Sequence, residues 1–129
     1  MPRTFVPIDS MGPFRGGWTK DDVEAVLRRG VPSELLWAPI VVSMDPPDCE
    51  WAQSVCVRLA THQDGNVRGN AVLGFGHLAR TCGRVNESIV RPLVEAALCD
   101  PDEYVAGHGH DAADDLRHFL GWRFHDGGA

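Results

Sequence analysis

No apolar run in this 129-residue chain approaches the length of a membrane span; the longest, Leu35 to Val42, is interrupted by Pro39. No charged-then-apolar leader opens it. No two of its four cysteines, Cys49, Cys56, Cys82 and Cys99, stand in C-x-x-C spacing, which argues against a zinc knuckle or a C-x-x-C redox motif. H-E-x-x-H is missing, and no Ser or Cys has the setting of a nucleophile elbow. The tryptophans Trp18, Trp37, Trp51 and Trp122 are scattered as packing anchors, not grouped as a base-stacking platform. Basic residues are outnumbered, 12 to 18, and the net charge of −6 disfavours binding to a phosphate backbone. These gaps predict a cytoplasmic, reducing setting in which the cysteines are small reduced core residues.

What is present suits one domain over 1–129. At 43% hydrophobic the chain has the apolar residues for a core that needs no staple. Residues 1–17 hold three prolines and three glycines and read as an irregular lead-in, packed down by Phe5, Val6 and Phe14. Residues 18–46 carry N-terminal helices: Thr19 caps Lys20 to Arg29, with Gly30 as the stop, and Pro39 splits a second segment after Ser33. From Asp45 the apolar residues recur at helical steps. Ala52, Val55, Cys56 and Leu59 mark one helix; Val67, Ala71, Gly74, Phe75, Leu78 and Cys82 mark the next, between Asp64 and Gly83. Asn86 or Ser88 starts another, with Ile89, Leu93, Ala96 and Ala97 inward. Asp100-Pro101 opens the last, with Val105, Gly109, Ala112, Leu116, Phe119 and Leu120 inward. Trp122, Arg123 and Phe124 close the fold, and His125 to Ala129 fray in a tail over 122–129.

Shifting the chain on itself by 38 residues aligns Asp64 with Asp102, Val67 with Val105, Ala71 with Gly109, Gly74 with Ala112, Leu78 with Leu116 and Gly83 with Gly121. Two helical hairpins, 47–83 and 86–121, are therefore variants of one unit, each with an apolar face that only a neighbour can bury. The repeat also decides how Gly74-Phe75-Gly76 is read. A dinucleotide fingerprint needs a strand before the first glycine and a helix starting at the last, whereas these glycines lie ten residues past a helix cap. Gly74 marks a close helix crossing, and Gly76 reads as incidental.

Asp64-Gly-Asn-Val67-Arg68-Gly-Asn-Ala71, followed by Leu78, resembles the second helix of a HEAT repeat. Asp102-Glu-Tyr-Val105-Ala106 keeps that pattern but puts Ala106 where Arg68 stands, which breaks the family's Asp-to-Arg ladder at that point. The resemblance covers about 47–121. It implies an all-α fold: a short right-handed α-solenoid of HEAT-like hairpins, about six helices, whose second helices line a partner-binding surface. It also implies a small bacterial protein of a kind that includes immunity partners of secreted toxins.

The densest polar cluster is Gly107 to His118. His110, Asp111, Asp114, Asp115 and His118 turn away from the apolar stripe, and their four-residue spacings let them pair along the helix. Residues 100–126 hold seven acids and two arginines, −5 of the total charge, while Arg58, Arg68, Arg80, Arg84 and Arg91 make the middle unit basic. Two meanings are open for that polarity: the polar outer face of a terminal repeat, or a field that steers a basic protein such as a toxin or nuclease. The expectation is a non-enzymatic interaction module, possessing no cofactor, that grips a protein through Arg68, Asn70, His77, Asp111, Asp114, Asp115 and His118. The alternative is a metal-dependent hydrolase with HD-like phosphohydrolase chemistry on His77, His108, His110 and Asp111, because imidazoles and carboxylates one turn apart can share a metal.

Overall fold

The computed structural model describes residues 11–124, and every described regular element is helical. A short 3-10 turn, Gly12–Phe14, precedes α1 (Lys20–Arg29), α2 (Pro32–Leu35), α3 (Ala38–Met44), α4 (Cys49–Leu59), α5 (Gly65–Cys82), α6 (Glu87–Leu98) and α7 (Glu103–Leu120). α2 is a single turn, which leaves six longer helices in an all-α chain. Phe5, Val6 and His125 to Ala129, assigned above to a lead-in and a tail, lie outside the described residues. Phe14 does pack inward, and so do Trp122 and Phe124.

Capping chemistry sets the helix ends. Thr19 Oγ1 accepts from the Asp22 amide at 3.2 Å while Asp22 Oδ2 accepts from the Thr19 amide at 2.8 Å, a reciprocal capping box. Asp48, Asp64, Asn86 and Asp102 cap α4 to α7 through their side chains. Asp102, not Asp100-Pro101, therefore opens α7, and Asn86, not Ser88, opens α6. Helices α1, α5 and α7 stop where Gly30, Gly83 and Gly121 enter the left-handed region, which favours glycine.

The glycines along α5 fix how the helices pack. A Cβ on Gly69 would stand 2.8 Å from the Tyr104 ring, and one on Gly76 would stand 3.0 Å from the Ala112 Cα. Contact thus advances along α5 and α7 in the same direction, so the two run parallel and side by side. On the other flank of α5, Asn70 reaches Leu36 while Gly74, His77 and Thr81 reach Pro39 and Ser43, so α3 is parallel as well. Helices α4 and α6 cover the opposite side of this α3–α5–α7 layer, and the core between holds Val55, Cys56, Val67, Phe75, Leu78, Val90, Val94, Val105 and Leu116.

Each hairpin needs one close approach. In the first, a Cβ on Gly74 would lie 2.6 Å from the Cys56 sulfur; in the second, one on Gly109 would lie 3.1 Å from Ala97. By the 38-residue alignment these positions are one helical turn apart. Gly74 is the close crossing the sequence suggests, but Gly76 is not incidental, since α7 lies directly over it.

Three inward assignments, Ile89, Ala96 and Phe119, are also corrected. Ile89 is 46% exposed and Phe119 43% exposed. On α6 the apolar residues are dense enough for two adjoining stripes, and the buried one is Val90, Val94 and Ala97, with Ala96 exposed and Leu93 partly buried.

Candidate partner-binding surface

The open side of the α3–α5–α7 layer carries most of the residues singled out from sequence, but folding has already committed several of them. Asn70 is 3% exposed. Its Nδ2 donates to the Leu36 carbonyl at 2.9 Å, and its Oδ1 accepts from the Tyr104 hydroxyl. One side chain thereby joins α7, α5 and the α2–α3 corner. The expectation that Asn70 touches a partner is corrected, because a buried amide is costly unless it is bonded inside the fold, and here it is.

Arg68 is committed too. Its Nε and Nη2 donate to the two carboxylate oxygens of Asp100 at 2.9 and 3.1 Å, while Nη1 donates to the carbonyls of His62 and Gln63. The bidentate fork ties the turn of the first hairpin to the turn of the second. It holds the Asp100 carboxyl below the ordinary carboxylate range, chiefly through the hydrogen bonds from Arg68. Asp100 also accepts from the Asp102 amide, so the arginine sets the entry of α7. Arg68 thus serves as a link between the two units.

His77 stands at the centre of the layer, partly buried. Its Nδ1 lies 3.1 Å from the Ser43 hydroxyl, which also donates to the Ile40 carbonyl at 3.3 Å. Burial pushes the His77 pKa down to about 4, with the charges of Arg80 and His108 acting the same way. The ring is neutral at neutral pH. His108, whose ring centroid is 4.3 Å from that of Tyr104, acts on it from α7. Asp115 sits over Gly76, and its carboxyl is held above the ordinary range, mainly by burial, with Asp111 and Asp114 adding and Arg80 and His118 opposing.

Further out the face is open. Asp111, Asp114, His110 and His118 are exposed. The Asp114 side chain is 74% exposed even while it accepts from Arg117 at 2.8 Å, and His118 makes an edge contact with Phe119.

The metal alternative does not assemble. His77 turns one nitrogen to Ser43, His110 points to solvent on α7, and no group of three or more His, Cys, Asp or Glu is poised to hold a metal among the described residues. Helical spacing brings two such side chains to one surface without supplying a third.

The basic middle unit is largely neutralised. Arg58 pairs with Glu24, Arg68 with Asp100, and Arg91 with Glu87 and Glu95. Arg91 also donates to the Arg123 carbonyl and lies over the rings of Trp122 and Phe124, which pins the chain end down. Counting charges along the sequence could not show these pairings, because each joins different elements or successive turns.

The cysteines depart furthest from expectation. Cys56 is the buried thiol foreseen, with burial pushing its pKa up to about 12, and Cys99 is a free exposed thiol. Cys49 and Cys82 form a disulfide. They are 33 residues apart, but one begins α4 and the other ends α5, so the antiparallel hairpin brings their Cα atoms to 6.1 Å. Sequence spacing holds no trace of that meeting.

The described residues define a stack of helical hairpins with parallel second helices and an acidic outer edge. No family model and no curated protein matches the chain. A solved structure does resemble it: a chain in the crystal structure of a CDI complex from Cupriavidus taiwanensis LMG 19424 is 27% identical, with a TM-score of 0.67 over 79% of this chain and 90% of that one. No helix among the described residues is long and apolar enough to cross a membrane.

Proposed function

We propose that this chain is a binding module of the immunity type: a small bacterial, cytoplasmic protein that neutralises a toxin by occupying it. The observation that carries this reading is the likeness to a chain of a CDI, or contact-dependent inhibition, complex, which spans most of both chains. The fold supports a HEAT-like α-solenoid reading, since second helices stacked in parallel and joined by an Arg–Asp fork are what such units use to bury one another's faces.

The site favours the inhibitor over the toxin as this chain's role. The Ser–His contact between Ser43 and His77 places the hydroxyl out of solvent, 0% exposed, so it offers no nucleophile. What faces outward on α7 is Asp111, Asp114 and His118, with Asp115 partly exposed beside them, an edge that complements a cationic surface such as a nuclease active face. We assign partner contact to these residues and to the rim of His77, leaving Arg68 and Asn70 inside the fold.

Co-expression with CDI toxin domains from the organism that makes this chain tests the reading. The expected result is a stoichiometric complex and restored growth. Asp111→Lys with Asp114→Lys slows association and weakens binding by about tenfold or more. A toxin that stays fully active, with no complex at micromolar concentrations, overturns it.

A further inference from the structure

The Cys49–Cys82 bond is more than an internal tie. Both cysteines are partly exposed, and Cys49 lines an open groove of about 530 Å³ together with Glu50, Gln53, Arg84, Val85 and Asn86. We propose that this groove is a thiol–disulfide exchange site, where a dithiol reductant opens the Cys49–Cys82 clasp and loosens the last turn of α5. The ligand class is a small dithiol or the C-x-x-C pair of a protein reductant.

The placement of the two sulfurs gives the exchange its order. Of the two bonded cysteines Cys49 is the one that lines the groove, so the incoming thiolate attacks Cys49 Sγ, forms a mixed disulfide and expels Cys82 as a thiolate that takes up a proton. The second thiol of the reductant then attacks its own half of the mixed disulfide and releases Cys49. The reductant ends as a disulfide, the protein as two thiols, and two electrons have passed to the protein.

The other two thiols cannot scramble the bond. Cys56 is buried, with its ionisation suppressed. Cys99 follows α6, whose first residues lie beside the groove, where the Asn86 amide donates to Gln53 Oε1. The twelve residues of α6 put Cys99 at the far end of the hairpins, roughly 18 Å away at 1.5 Å per residue.

Opening the clasp acts on the layer described above. The closing turn of α5 carries Thr81, whose hydroxyl donates to the carbonyls of Ser43 and His77, and His77 itself sits one turn earlier. Reduction frees the end of α5 from the start of α4 and leaves this turn held to α3 by Ser43 alone among those bonds. In a reducing compartment the clasp is open, and in an oxidising one it is shut.

The test needs no partner, so its failure and failure of the immunity reading are separable. Air-oxidised protein is alkylated with iodoacetamide under native conditions, with and without dithiothreitol, and labelled sites are mapped by mass spectrometry. Without reductant Cys99 labels alone; with it Cys49 and Cys82 label while the protein stays folded. Amide exchange across 76–86 accelerates by about tenfold or more on reduction. A Cys49→Ser/Cys82→Ser variant exchanges at the fast rate whether or not reductant is present. The proposal is overturned if Cys49 and Cys82 label without reductant, if the bond resists millimolar dithiothreitol until urea unfolds the chain, or if exchange across 76–86 is the same in both states.

Discussion

Acid should weaken this fold before it protonates most carboxylates, and His77 is the reason. The ring is partly buried between α3 and α7, with its pKa lowered from 6.5 to about 4. Above pH 6.5 the ring is neutral whether the chain is folded or not, and the fold keeps its full stability. As pH falls below 6.5 the unfolded chain takes the proton and the folded chain does not. Stability is therefore lost progressively down to about pH 4, where the folded ring protonates as well. A tenfold difference in proton affinity between the two states corresponds to about 1.4 kcal/mol, so the full loss is roughly 3 kcal/mol and about 2 kcal/mol is gone by pH 5. Asp115 acts in the other direction. Its folded pKa is raised above 3.8, so acid favours the folded state there and offsets part of the loss at the low end. Asp100 has a lowered pKa and contributes stability that disappears only as pH falls below 3.8, beneath the His77 window. Urea unfolding followed by tryptophan fluorescence at pH 7, 6 and 5 measures the slope. His77→Gln can keep a hydrogen bond to Ser43 without titrating, and it should flatten that slope. Equal stability at pH 7 and 5, or a His77→Gln slope matching the parent, refutes the argument.

Three further outcomes follow from the packing. Gly76→Val, which drives a branched side chain into the Ala112 backbone, should destabilise by about 2 kcal/mol or more in urea, and Gly83→Ala by about 1 kcal/mol, from its left-handed backbone alone, since no atom approaches that Cβ. Asn70→Leu strands the Leu36 carbonyl and the Tyr104 hydroxyl together, a cost of roughly 2–3 kcal/mol that Tyr104→Phe in the same chain should partly relieve in a double-mutant cycle. Arg68→Ala leaves Asp100 half-buried without its fork and should cost about 2 kcal/mol in thermal unfolding while leaving toxin binding intact at low temperature; a binding defect with unchanged stability would restore Arg68 to the partner surface.

Helix boundaries are legible in the sequence because capping is local: Thr19, Asp64, Asn86, Gly30, Gly83 and Gly121 act within a few residues of themselves. The 38-residue alignment likewise matches residues that end on one face of parallel helices. The roles of Arg68 and Asn70 are not legible, because a polar residue facing a neighbouring unit and one facing a partner have the same helical phase. Only the packing of α7 on α5 separates them. Gly76 escapes notice for a related reason: its counterpart Asp114 is large and polar, which makes the small residue look dispensable when the two units are compared. Ser43 and the Cys49–Cys82 pair give no signal, since each depends on two elements meeting end to end or side to side.

That contrast between Gly76 and Asp114 says why the acidic edge sits where it does. In α5, Gly69 and Gly76 let α7 lie close, one under Tyr104 and the other under Ala112 and Asp115. The same positions of α7 are Gly107, with nothing within 4 Å of where its Cβ would be, and Asp114, whose carboxylate stands in solvent. A third hairpin stacked on the second as the second is stacked on the first would press its backbone onto that carboxylate and bury it without an assured partner, a cost of several kcal/mol. Asp114 thus disfavours close stacking on this side of α7 and at the same time charges the face. A bulky neutral residue would disfavour it equally well. Asp114 beside Asp111 leaves this face acidic, the charge that the cationic partner proposed above would require.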